Sequence, residues 1–192
     1  MPAKPELPII AFADAAGFEA WLAAEHASSA GIWLKYAKKA TGYPTVTHSE
    51  AIDVALCYGW IDGQGRALDD EYWLVKFTPR GRKSVWSQIN VGRVAALTTA
   101  GRMRPGGLAA VALAQADGRW DRAYAPPSTA AVPDDFQAAL DGNPAAADFF
   151  ATLTGANRYA FLYRIQDAKR PETRARRIAQ FTEKLAAGEK LQ

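Results

Sequence analysis

Apolar and polar positions change their period several times along this chain, and each change marks an element. In "ADAAGFEAWLAAEHASS", Phe18, Trp21 and Leu22 recur at helical spacing behind Asp14, a residue type that caps helices, so a helix is predicted there. "GIWLKYAKK" then alternates Ile32, Leu34 and Tyr36 against Trp33, Lys35 and Ala37, the period of a strand covered on both faces. Thr47 and Glu50 have capping-box spacing. The helix they open should run to about Tyr58, turn Ile52, Ala55 and Leu56 to the core, and stop at Gly59. "WIDG" reads as a turn, and "WLVKFT" as a strand ended by Pro79.

Beyond Pro79 the helical period dominates. Ser84 or Ser87 caps a predicted helix carrying Val91, Val94 and Leu97, which ends before Gly101. A second helix is expected to start beyond the Gly-Gly pair of "RPGGLAAVALAQADG". Pro126, Pro127 and Pro133 make "WDRAYAPPSTAAVPDD", residues 120–135, a long loop. Four further helices follow, two of them announced by Asn143-Pro144 and Arg170-Pro171. Residues 1–10 read as a Pro-rich arm. The pattern predicts an α+β fold: an N-terminal part over 11–124, with a small sheet and helices, packed against a mainly helical C-terminal part over 134–188 as one compact unit.

Composition narrows the function classes. The 192 residues are 49 % hydrophobic and 22 % charged, enough for a packed core, with a formal net charge of +3 that permits an anionic partner without demanding one. One cysteine rules out an internal disulfide. The opening "MPAKPELPIIAFADAAG" has no signal-peptide run, and no segment approaches the ~20 apolar residues of a membrane span, so a cytoplasmic location is expected. His26, His48 and Cys57 supply no metal-ligand set, and no cofactor fingerprint occurs.

The densest chemistry lies in "KFTPRGRKSVWSQIN". Lys76, Arg80, Arg82 and Lys83 bring positive charge, which Arg93, Arg102 and Arg104 continue with no intervening acid. Arg80, Lys83, Ser84, Ser87 and Asn90 together can line an anion recess beside Trp60 and Asp62, because helix-end donors and arginine forks both match oxyanions. The same residues also fit a charged loop whose serines only cap a helix. Asp62 can orient an arginine, take a proton, or bond its own backbone. Trp60 and Trp86 can stack bases of a single-stranded nucleic acid or close a core. Cys57 with His48 and Asp62 forms a conceivable thiol triad, although a lone helical cysteine more commonly packs as a small hydrophobe. A second basic surface is offered by Arg174 and Arg177 on the last helix.

The motifs "EAIDVALCYGWIDG", "KFTPRGRKSVWSQIN", "GRMRPGGL" and "AKRPETRARRI", in that order between about Trp21 and Leu185, resemble the YdeI/OmpD-associated, bacteriocin-protection family. The resemblance implies an association with stress or with tolerance of antibacterial peptides, and assigns no catalytic residue. The resulting expectation is a binding or stress-associated protein with an anion recess. Its alternatives are an enzyme acting on a small phosphate- or carboxylate-bearing metabolite, and a nucleic-acid-binding protein.

Overall fold

A computed structural model describes residues 6–191. They form two compact units that divide after Ala123. The first unit holds a four-stranded sheet in the order β1-β2-β4-β3, built from β1 (Ile9–Ala11), β2 (Ile32–Ala37), β3 (Trp60–Ala67) and β4 (Tyr72–Pro79). With it go α1 (Ala15–Glu25), α2 (His48–Cys57), α3 (Gln88–Thr99) and α4 (Pro105–Ala116). β2 and β3 both run antiparallel to β4, whereas β1 joins β2 in parallel. The alternation read from the sequence is the pleat of β2: Ile32, Leu34 and Tyr36 are buried on one face. Val75 and Phe77 stand opposite them on β4. Phe18, Leu22, Val54, Leu56 and Trp60 complete that core, each large side chain contributing about 1.5–3 kcal/mol through its removal from water.

Three local expectations change. Residues 9–11 are a strand rather than part of an arm; three residues are too few to show a period, and the remainder of the arm's first half, residues 1–5, lies outside the described residues. "WIDG" belongs to strand β3 instead of a turn. The pairs Asp62–Phe77 and Gly65–Val75 leave one extra residue in β3, a β-bulge that bends the strand just after Asp62. Finally, Gly106 and Gly107 lie inside α4, which starts at Pro105. A Cβ on Gly107 would stand 2.3 Å from the Cys57 carbonyl oxygen and 2.7 Å from that of Leu56. One on Gly106 would meet the Tyr58 oxygen at 2.9 Å. The glycines weaken the helix locally, but they let its first turn lie against the end of α2, where Arg104 N–H donates to the Cys57 carbonyl at 3.0 Å.

The caps are as read. Asp14 accepts from Gly17 N–H, the Thr47–Glu50 capping box is complete, and Ser87 rather than Ser84 caps α3. Such a cap contributes about 1 kcal/mol.

Residues 117–133 hold no helix or strand element and include the division between the units, and the second unit contains α5 (Asp134–Asp141), α6 (Pro144–Thr152), α7 (Gly155–Gln166) and α8 (Pro171–Ala186). Its core is a chain of edge-to-face rings: Phe136 on Phe150 at 5.3 Å, Phe150 on Phe161 at 6.3 Å, and Phe161 on Phe181 at 5.4 Å. No helix among the described residues is long and apolar enough to cross a membrane.

Candidate functional site

The β4–α3 segment folds around an arginine–tryptophan stack. The Arg80 guanidinium lies 3.5 Å above the Trp86 ring and donates from Nη1 to the Val85 carbonyl at 3.2 Å. Trp86 is buried and meets Trp120 edge-on at 4.8 Å, so the stack is rooted in the core of the first unit. Arg119 closes the segment from below, donating to the Ser84 carbonyl at 2.8 Å while Asp117 holds its Nε. Ser84 Oγ accepts from Gly81 N–H at 3.0 Å, and Ser87 Oγ from Asn90 N–H at 3.1 Å. Both hydroxyls therefore serve the backbone first, each keeping its own proton to donate. Arg82 and Lys83 are exposed, and Asn90 enters the arrangement through its backbone.

Asp62 and Trp60 are placed by other forces. Trp60 is a core residue, packed edge-on against Trp21, with its indole N–H donated to the His26 carbonyl at 3.2 Å. The Asp62 carboxylate faces His48 at the start of α2, with Oδ2 3.4 Å from Nε2. The His48 ring in turn stands edge-on to Tyr36, Trp73 and Phe77. Burial, with a smaller contribution from the Asp62 charge, holds the Tyr36 phenol well above the ordinary tyrosine range, so its hydroxyl remains a proton donor. Sequence reasoning considered Asp62 and His48 but passed over Tyr36. The available signal was parity: Tyr36 shares the inward face with Ile32 and Leu34, so its hydroxyl has to be accommodated inside.

The long basic run is divided in three dimensions. Arg93 donates to Asp53 at 2.6 Å and to both oxygens of Ser49; Arg104 meets Glu19 at 3.0 Å, with Arg102 at 3.9 Å from the same carboxylate. In the second unit Arg174 forks onto Asp135 with bonds of 2.6 and 2.8 Å, which holds the Asp135 carboxyl below its usual range. Arg177 donates to the Arg164 carbonyl and lies 3.8 Å from Asp167. A depression of about 630 Å³ lined by Arg164, Lys184, Glu189, Lys190 and Leu191 includes none of the anticipated site residues. No cluster of three metal-binding side chains occurs among the described residues.

The thiol triad does not assemble. Cys57 and His48 occupy opposite ends of α2, separated by about 13 Å of helical rise. Cys57 is fully buried, and burial pushes its thiol up from the ordinary cysteine range. Folded protein at pH 7.5 is expected to react with a thiol reagent about two orders of magnitude more slowly than denatured protein. Equal rates would show an exposed, reactive cysteine instead.

Comparison with known families divides the motif-based resemblance into two spans. Residues 10–110, which contain "EAIDVALCYGWIDG", "KFTPRGRKSVWSQIN" and "GRMRPGGL", match the model described as Domain of unknown function (DUF8412). Residues 129–188, which contain "AKRPETRARRI", match the model described as Bacteriocin-protection, YdeI or OmpD-Associated. No curated protein and no solved structure matches the chain. With the first model covering just over half of its residues and the second most of its helical part, the chain belongs to the DUF8412 family and carries a YdeI or OmpD-associated C-terminal segment.

Proposed function

We propose that the protein binds a small phosphate- or carboxylate-bearing molecule at the β4–α3 segment, and does so in the bacteriocin-protection setting that the description of its C-terminal family names. The observation that carries this reading is the ordered Arg80, held between the Trp86 ring and the Val85 carbonyl before any ligand arrives. Such an arginine loses little further side-chain freedom on binding. Arg82 and Lys83 add charge from the same loop, and half-buried Ser84 keeps a hydroxyl proton to donate, whereas Ser87 is buried as the α3 cap. Asp62, engaged with His48, is not an anion ligand in this reading. The proposal is one of binding, and no residue is assigned a catalytic role.

A second reading, single-stranded nucleic acid, is favoured by the other face of the sheet. Trp33, Lys35, Tyr72, Leu74, Lys76 and Arg66 share that face by register. Arg66 lies 4.3 Å over Trp33 and Lys35 lies 3.6 Å over Tyr72. Alternating rings and cations suit stacked bases and phosphates.

One calorimetric series separates the two. Inorganic phosphate and citrate are expected to bind the wild type, with Arg80→Ala weakening them about tenfold or more, since a charge-assisted bond contributes about 1.5–3 kcal/mol. Arg82→Ala/Lys83→Ala, which leaves the stack intact, should weaken them less. Binding unchanged by Arg80→Ala places the anion elsewhere. Binding of oligothymidylate that is lost in Trp33→Ala and retained in Arg80→Ala selects the sheet face.

A further inference from the structure

Tyr36, His48 and Asp62 come from β2, α2 and β3 and converge over the core face of the sheet. Tyr36 is only 2 % exposed, yet its hydroxyl has no hydrogen-bond partner among the described residues. Nε2 of His48 is equally buried and also lacks a hydrogen bond. Asp62 Oδ2 is 3.4 Å from it, within ion-pair reach but without the alignment of a hydrogen bond. A buried donor or acceptor left unsatisfied costs about 1–3 kcal/mol, so native folds rarely keep one without a use. Two in one cluster, beside a carboxylate, is more than core packing explains.

We propose that these three side chains bind the hydroxyl group of a small uncharged alcohol with an apolar body. A hydroxyl both donates and accepts, which is the combination the cluster lacks. It accepts from the Tyr36 O–H and donates to the Asp62 carboxylate, or to Nε2 of a neutral His48. Trp73 and Phe77, whose rings stand 5.9 and 6.5 Å from that of His48, supply the wall for the apolar body. Asp62 repels phosphate and carboxylate, so this site and the β4–α3 segment select different ligands. Entry is past His48, the most exposed of the three at 40 % of its side chain against 26 % for Asp62.

Benzyl alcohol is the probe, with toluene as the analogue lacking the hydroxyl and benzoate as the anionic one. The chain has two histidines, so the His48 ring proton is assigned in the NMR spectrum by comparison with His48→Gln. Benzyl alcohol is expected to shift that signal saturably, and toluene and benzoate to bind at least about tenfold more weakly. Tyr36→Phe keeps the ring and removes the hydroxyl. It should weaken benzyl alcohol about tenfold, the equivalent of one hydrogen bond, while leaving the melting temperature equal or higher. Should that variant fail to fold, Asp62→Asn provides the same comparison. The proposal is overturned if the His48 signal does not respond saturably, if toluene binds as well as the alcohol, or if affinity is unchanged in the variant used.

Discussion

Gly107→Ala is expected to destabilise the first unit by about 3 kcal/mol or more, an unusually large effect for one added methyl group. In most helix interiors the same substitution is favourable, because alanine has the better propensity. Here the new Cβ would sit 2.3 and 2.7 Å from two carbonyl oxygens at the end of α2. Those atoms are backbone and cannot rotate aside as a side chain would, so α4 has to withdraw. Withdrawal also stretches the bond from Arg104 N–H to the Cys57 carbonyl. Gly92→Ala in α3 is the control: it is a helical glycine whose added Cβ meets nothing within 4 Å, and it should stabilise by about 0.5–1 kcal/mol. Urea unfolding of the two variants should move in opposite directions. A Gly107→Ala protein as stable as wild type would show that the two helices do not approach this closely.

The second large effect is Phe161→Ala in the helical unit. Phe161 is fully buried between Phe150 and Phe181, and its removal should cost about 3–5 kcal/mol through lost burial and the cavity left behind. A unit spanning residues 124–192 has a total stability of only about 3–10 kcal/mol at ordinary values per residue. The substitution therefore removes a large part of the stability of α5–α8. Amide exchange in α7 and α8 should accelerate strongly, whereas Phe161→Leu, which keeps most of the volume, should cost less than half as much. Exchange rates unchanged in Phe161→Ala would show that this ring does not hold the helices together.

Most of the local architecture was legible because it depends on neighbours in sequence. The pleat of β2, the Thr47–Glu50 box and the Asn143 and Ser87 caps each express a rule acting over two to four residues. The α+β division followed from the same periods. What escaped depends on partners remote in sequence. The Gly106–Gly107 pair looks like a break until the α2 carbonyls beside it are seen. The run from Lys76 to Arg104 looks uniformly basic until Asp53 and Glu19 arrive from earlier helices. Of the site residues, Ser87 was legible as one of two candidate caps, with Ser84, because a cap needs only a hydroxyl just before the first helical turn. The meeting of Asp62 with His48 and Tyr36 was not, since it requires the sheet register, the bulge and the start of α2 together.

The bulge in β3 has an effect on charge as well as on shape. In a regular strand, residues four apart share a face, so Asp62 and Arg66 would stand on the same side and neutralise one another. The extra residue between Asp62 and Gly65 reverses that parity: Asp62 stays with Phe77 on the core face, and Arg66 crosses to the side of Lys35 and Lys76. One strand thus delivers an acid to one side of the sheet and a base to the other. The sheet becomes a partition between a negative interior corner and a positive outer plane, and a single inserted residue sets which charge each side presents.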